Sequence, residues 1–278
     1  MHVVLLSLVF RPDNVSTAHV MAELARDLTS LGHHVTVFTT TPHYNSDPGA
    51  EATQPIRPFL GRLLQTSEYH GIRVYHAWMP RKGRSVLLRL LAWVWFHGVS
   101  TLAAVVLARK PSVILVPSPP LTVGMSAWVL GRLRSTPFVY NVQEIYPDLA
   151  VNLGALKNRT LIGLLLALER FVYRRARAIT VIAPRMRERL IEKGVPPAKV
   201  VVIPNFVDLG ELSPRPKDNP FSRAFGVHDK FVVSYAGNLG PAQGLECFVD
   251  VASLLRDRPE VMLLLIGDGM LAEPLRAR

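Results

Sequence analysis

Apolar positions recur along this chain in two alternating rhythms. Residues 2–9 form an apolar run of strand length. The following RPDNVSTAHVMAELARDLTSLG places Met21, Leu24, Ala25, Leu28 and Leu31 at helical spacing. Ser16 or Thr17 is positioned to cap that helix, and Gly32 to end it before a strand over 34–39. Together these make a βαβ unit. The rhythm repeats, with strands predicted over 112–118, 137–144, 178–183 and 200–205. Helices are predicted between them over LTVGMSAWVLGRL, residues 157–175 and PRMRERLIEKG. Such alternation predicts a mostly parallel α/β sheet covered by helices on both faces.

A Pro- and charge-rich stretch, LSPRPKDNP at 212–220, interrupts the rhythm, which then restarts with the strand KFVVSYAG, the helix GLECFVDVASLLRD and the strand VMLLLIGDG. The predicted organisation is a domain over 1–211, a linker over 212–220 and a second domain over 221–278. Two parallel strands and one helix make about a third of a doubly wound domain, so the second is expected to be only the beginning of one.

The most apolar segment is SVLLRLLAWVWFHGVSTLAAVVLARK, residues 85–110. Arg89, His97, Gly98, Ser100 and Thr101 weigh against a bilayer crossing. The segment can instead cover the sheet, or lie at a membrane interface with Arg84 and Arg89 flanking Trp93, Trp95 and Phe96. The charges favour peripheral membrane contact through these five residues.

Composition narrows the classes. A chain of 278 residues with 49% hydrophobic and 19% charged residues is globular rather than disordered. Its net charge of +11 attracts polyanions: nucleic acid, anionic lipid headgroups or phosphorylated small molecules. The basic runs RFVYRRARA and RMRERLIEK lack interleaved stacking aromatics, which argues against nucleic acid. A single cysteine, Cys247, excludes an internal disulfide or thiolate metal cluster. The N-terminus lacks a basic signal-peptide region, and the chain reads as cytoplasmic. His33 and His34 lack helical metal-ligand spacing, and no metal site is predicted.

In doubly wound sheets, ligands gather beyond the carboxyl ends of the strands. The first such loop, VFRPDNVSTAH, has no GxGxxG, which counts against a dinucleotide enzyme. It leaves Asp13, Asn14, Ser16, Thr17 and His19 as sugar or acceptor contacts. YAGNLGPAQGLE supplies a glycine-rich turn in the second domain. Gly237 and Gly240 let the backbone approach a phosphate, and a helix starting near Gly244 points free N–H groups at it. Glycine in such turns also serves geometry alone. LIGDG, however, places Gly267 and Gly269 at the neighbouring strand end, and the pair predicts a nucleotide-phosphate pocket. YNVQEIYPD brings Gln143, Glu144 and Asp148 to the end of a central strand, where a carboxylate can act as a base, position a hydroxyl or simply start a helix. Asn205 and Asp208, in VIPNFVD, are turn formers or ligand contacts.

LARDLTSLGHHVTVFTTTPHY, SPPLT, NVQEIYPDLAVNLG, IPNFVD and YAGNLGPAQGLE, in this order, resemble family 4 glycosyltransferases of the GT-B fold, especially the WbuB-like and WcaI-like enzymes of bacterial surface-polysaccharide assembly. The resemblance implies a complete N-terminal Rossmann-like domain that holds the acceptor, facing a nucleotide-sugar domain across a cleft. It implies transfer with retention of configuration, with no cofactor beyond the nucleotide-sugar donor and no essential metal. The leaving diphosphate would be stabilised by backbone N–H groups and basic side chains. By position, Gly237, Asn238, Gly240, Gln243 and Gly244 would line that diphosphate. Gln143 falls on the acceptor side, with Glu144 and Asp148 as catalytic candidates. The implied partners are a polyprenyl-phosphate-linked or saccharide acceptor and the anionic inner face of the plasma membrane, not nucleic acid.

Two departures stand out. Many family members carry Arg and Lys where this chain has Asn238 and Gln243. The family's donor-binding glutamate pair, E-x7-E, does not occur at the expected place within these 278 residues. The expectation is therefore a truncated family member with weak or no transfer of its own, the alternative being a non-catalytic acceptor-binding or scaffold protein of a polysaccharide assembly complex.

Overall fold

A computed structural model of the chain describes residues 1–44, 47–80, 86–210 and 212–278, with the side chains of residues 86, 87, 89 and 90 outside that description. The chain divides into two compact units, Met1–Asp208 and Leu209–Arg278.

Unit one runs β1 (His2–Leu6), α1 (Ser16–Ser30), β2 (His34–Thr40), α2 (Pro48–Thr53), β3 (Arg57–Leu60), β4 (Leu64–Tyr69), β5 (Ile72–Ala77), α3 (Val86–Leu107), β6 (Val113–Ser118), α4 (Val123–Arg134), β7 (Phe138–Val142), α5 (Asp148–Asn152), α6 (Arg159–Arg175), β8 (Ala178–Val181), α7 (Pro184–Glu192) and β9 (Val200–Val202). The strands form one sheet in the order β3-β4-β5-β2-β1-β6-β7-β8-β9. It is parallel from β5 onward, whereas β4 runs antiparallel to both β3 and β5.

Strand alternation splits the core between the two faces of this sheet. From β1, Val4 and Leu6 enter one cluster together with Phe38, Ile114, Val116, Tyr140 and Ile179. Val3 and Leu5 enter the other, with Val35, Val37 and Val74. On that second face α1 presents the large, fully buried Met21 together with the small Ala22 and Ala25. The helix closes on the left-handed Gly32, as the sequence pattern expects. Its start differs: the N-cap is Val15, Ser16 is already helical, and no side chain caps the turn.

Strands β3 to β5 are absent from the sequence prediction. β4 reads LQTSEY, too polar to signal a strand, and the hairpin to β5 turns on His70 and Gly71, both at positive φ.

Helix α3 covers the sheet. Phe96, Ser100, Ala103 and Ala104 form its buried stripe, continued by Ala108 just beyond its end, whereas Leu91, Val94, Leu102 and Val106 are exposed. Among the described residues no helix is long and apolar enough to cross a membrane. The expected membrane residues separate accordingly. Phe96 is fully buried, because it falls on the core-facing stripe, and Trp93 packs partly buried on the same core. Trp95 stays 37% exposed, its indole N–H donating to Trp78 O at 2.9 Å. Arg84 and the side chain of Arg89 lie outside the described residues.

Unit two contains α8 (Pro220–Ala224), β10 (Phe231–Ala236), α9 (Glu246–Leu254), β11 (Val261–Ile266) and α10 (Ala272–Arg276). β10 and β11 pair in parallel. Their small core gathers Leu239, Leu245 and Ala272 against Tyr235, Leu265 and Leu275. Pro220, the end of the expected linker, begins α8 behind a reciprocal cap between Asn219 and Ser222.

Candidate functional site

In unit one the topological switch point lies at β1, which pairs β2 on one side and β6 on the other. The loops leaving these carboxyl ends hold the acceptor-side candidates. Asp13 is buried rather than open to a ligand: its Oδ2 accepts the N–H groups of His43 and Tyr44, each at 3.1 Å, tying the β1 loop to the β2 loop. Asn14 Oδ1 lies 2.7 Å from His19 Nε2, and Asn14 Nδ2 reaches Asp47, the N-cap of α2. Ser16 and Thr17 sit at the N-terminus of α1, Ser16 exposed.

At the end of β7 a ladder of amides crosses three strands. Asn205 Nδ2 donates to Gln143 Oε1 at 2.9 Å, Gln143 Nε2 to Asn141 Oδ1 at 2.6 Å, and Asn141 Nδ2 to Thr180 Oγ1 at 2.8 Å. Gln143 is thereby engaged at both ends, and the Asn205 side chain is tied to it. Sequence reading missed Asn141 and Thr180; their polarity inside otherwise apolar strands was the available signal. The ladder holds the backbone from which Glu144 projects. Glu144 is exposed on the rim and makes no hydrogen bond or ion pair among the described residues. Partial desolvation by its surroundings holds its carboxyl above the ordinary carboxylate range.

Asp148, the other catalytic candidate, is held in two ion pairs. Its Oδ1 lies 2.6 Å from Lys193 Nζ and its Oδ2 2.8 Å from Arg189 Nη2. Burial pushes its carboxyl up, but the hydrogen bonds from Lys193 and Arg189 outweigh that and hold it below the ordinary carboxylate range, making it a poor base. Lys193 also stands 2.8 Å from Oε2 of the fully buried Glu169. Asp208 pairs with Arg26 of α1 at 2.9 Å.

In unit two the glycine-rich turn follows β10. Several amides expected to face a phosphate are already used: Gly237 N–H donates to Ile266 O, Gly240 N–H to Asn238 O and Gln243 N–H to Gly240 O. Past Gln243 the chain passes through left-handed Gly244, at φ +61°, before α9 begins at Glu246, two residues later than its pattern predicts. The N–H groups of Gly244, Leu245 and Glu246 make no hydrogen bond among the described residues, so of the glycines first singled out Gly244 is the one whose amide is unspent, while Leu245 itself is buried in the core of the unit. Asn238 keeps its side chain beside Gly240, where a Cβ would meet Asn238 Nδ2 at 2.6 Å and Gln243 Oε1 at 2.9 Å.

Gly267 and Gly269 have a reason of their own. A Cβ on Gly267 would lie 1.9 Å from Gly237 O, and one on Gly269 would lie 2.5 Å from Leu239 O. Glycine is thus required where the two strand-end loops pass one another, with Leu239 N–H donating to Asp268 O and Leu271 N–H to Leu239 O. Among the described residues no group of three His, Cys, Asp or Glu side chains is arranged to hold a metal ion.

A doubly wound first unit with its polar cluster at the strand ends, followed by a second β-α-β unit with a glycine turn, is the GT-B plan. The chain belongs to the glycosyl transferase 4-like domain family, whose model matches residues 17–205. Among curated relatives it is 25% identical over 270 residues to the putative colanic acid biosynthesis glycosyl transferase WcaI of Escherichia coli K12, covering 94% of this chain and 64% of that protein. It is 28% identical over 200 residues to the probable glycosyltransferase WbjE of Pseudomonas aeruginosa, covering 71% of this chain and 50% of that one. The chain therefore spans less than two thirds of either relative. Among solved structures, Anabaena HepE in complex with UDP and glucose superposes with a TM-score of 0.63 at 18% identity, over 99% of this chain and 63% of that one. The catalytic domain of starch synthase IV from Arabidopsis thaliana, bound to ADP and acarbose, does so with a TM-score of 0.68 at 14% identity, over 100% and 70%. These two likenesses establish the GT-B fold.

Proposed function

We propose that the chain is part of a retaining glycosyltransferase that moves a sugar from a nucleotide-sugar to a polyprenyl-phosphate-linked or saccharide acceptor in bacterial surface-polysaccharide assembly. It works in the cytoplasm, peripherally at the inner face of the plasma membrane. The observation that carries the donor side is the turn after β10, where the N–H groups of Gly244, Leu245 and Glu246 are not spent on hydrogen bonds among the described residues ahead of α9. A diphosphate there would accept hydrogen bonds from the backbone and meet the positive end of the helix dipole. On the acceptor side, Glu144 is the carboxylate free to take a proton from a hydroxyl as the new glycosidic bond forms and the diphosphate leaves. The names of WcaI, a colanic acid biosynthesis glycosyl transferase, and of HepE with UDP and glucose support the reading.

The test is a titration of the ¹⁵N-labelled 278-residue chain with UDP, GDP and their sugar derivatives. The amide resonances of Gly244, Leu245 and Glu246 should shift and saturate with one nucleotide class. Saturable shifts confined to other residues, or none with any nucleotide, would remove the donor assignment. Where transfer is measurable, proton NMR of the product reads the anomeric configuration directly.

A further inference from the structure

The helical face of unit one formed by α3, α4 and α6 presents no exposed carboxylate. No Asp or Glu occurs between Glu68 and Glu144, between Asp148 and Glu169, or between Glu169 and Glu188, and Glu169 itself is fully buried. Cations gather at one end of this face. Arg109 and Lys110 follow α3, Arg132 lies in the last turn of α4, and Arg175 and Arg177 stand at the end of α6, all exposed. The ends of α3 and α4 are joined where Thr136 Oγ1 donates to Pro111 O at 3.0 Å.

Helix α4 separates two concavities of opposite character. On one flank, shared with α3, lies a groove of about 480 Å³ whose walls include Leu102, Val105, Met125, Val129 and Leu133. Three of its polar side chains are satisfied among themselves, His97 Nε2 lying 2.7 Å from Thr122 Oγ1 and Nδ1 2.9 Å from Ser126 Oγ, while the buried Thr101 Oγ1 has no partner among the described residues. Leu102 and Leu133 are 65% and 64% exposed. On the other flank lies a cavity of about 610 Å³ lined by Trp128, Arg132, Arg175, Arg177 and Lys199, with no acidic side chain. Positions 129 and 133 form one i,i+4 strip of α4, and 128 and 132 the adjacent one, so the dry groove and the cationic cavity are side by side.

A soluble surface normally intersperses both signs of charge and avoids contiguous apolar patches. Apolar troughs beside cations, with carboxylates excluded, complement an amphiphile that carries negative charge at the boundary of its acyl region. Nucleic acid would leave the apolar groove unused. We propose that this face, centred on α4, docks on an anionic phospholipid bilayer. Acyl chains meet Leu102, Val129 and Leu133, and headgroup phosphates meet Arg132, Arg175 and Arg177. The proposal rests on the membrane part of the proposed function and not on its transfer chemistry, and it moves the contact away from Trp93 and Trp95.

The experiment is flotation of the 278-residue chain with phosphatidylcholine vesicles, with and without phosphatidylglycerol, at physiological salt. The wild type should float only with the anionic vesicles. The double variant Arg132→Gln/Arg175→Gln should partition about thirtyfold less, as each basic residue near an anionic surface is worth roughly a fivefold factor. Leu133→Asn should partition about tenfold less, while Trp95→Ser should match the wild type. Thermal melts verify that each surface variant remains folded. Absence of wild-type flotation would overturn both the membrane reading and this surface. Flotation lost in Trp95→Ser but kept in the double variant would overturn the surface alone. Binding to a single-stranded DNA probe that the double variant loses, with no vesicle binding, would overturn it in favour of nucleic acid.

Discussion

β1, with the sequence HVVLL, and β11, with VMLLLI, are equally apolar, yet β1 is buried along almost its whole length while β11 is half-buried, with Met262 37% and Ile266 40% exposed. β10 shows the same contrast, Phe231 and Val233 being 68% and 42% exposed. The difference lies in neighbours. β1 is flanked by β2 and β6 and covered on both faces, whereas β10 and β11 have only each other in the sheet. An apolar run therefore marks a strand, while the number of partners decides how much water it loses. Burial in turn decides which side chains hold a unit together and what ionisation state they keep.

The largest effect expected from that contrast is in the buried ionic knot of unit one. Lys193→Met would leave Glu169 uncompensated, and also strip one partner from Asp148. A loss of about 3–5 kcal/mol is expected in urea unfolding, with partial recovery in Lys193→Met/Glu169→Gln. A variant as stable as the wild type would show that the knot contributes nothing.

The two sheets can be compared directly by methylene deletion. Ile114→Ala, fully buried on β6, should cost about 2–5 kcal/mol. Val233→Ala, partly exposed on β10, should cost about 1 kcal/mol or less. Equal losses, each measured by a probe local to its unit, would break the comparison.

A smaller effect follows pH. Burial lowers the pKa of His76 to about 4 and that of His97 likewise. Burial holds His76 neutral against the opposing hydrogen bond from Nδ1–H to Thr40 O, while Nε2 faces Ser67 Oγ at 2.7 Å. A base whose folded value lies below its ordinary 6.5 binds more protons when unfolded. Stability is then complete above about pH 6.5 and is lost as pH falls toward 4, by on the order of 2 kcal/mol per histidine. Urea midpoints at pH 7 and pH 5 should differ accordingly, and less so in His97→Gln. A midpoint that stays flat across this window would contradict neutral burial.

The parallel framework was legible because period-2 and period-3.6 patterns are local. β1, α1, β2, β6, β7 and β8 all stand within a few residues of where the pattern places them. The β3–β5 ribbon was not, since the polarity of β4 carries no burial signal. In the candidate site, Glu144 was visible as a strand-end carboxylate. Nothing local distinguished it from Asp148 four residues on, whose partners Arg189 and Lys193 arrive from another helix. Likewise the roles of Gly267 and Gly269 depend on Gly237 and Leu239, some thirty residues earlier.

By itself, the order of apolar runs, turns and glycines determined the α/β class, the succession of βαβ units and the stretches where polar residues leave the strands. Tertiary structure decided which of those polar groups are occupied. It buried Phe96 and Asp13, tied Asp148 to Arg189 and Lys193, spent the Gly237 amide on Ile266 and left Glu144 and the amides of 244–246 without a hydrogen bond among the described residues. The physical reason is that periodicity is set by backbone geometry within a few residues, whereas a hydrogen bond, an ion pair or a desolvated carboxylate needs a partner brought from far along the chain.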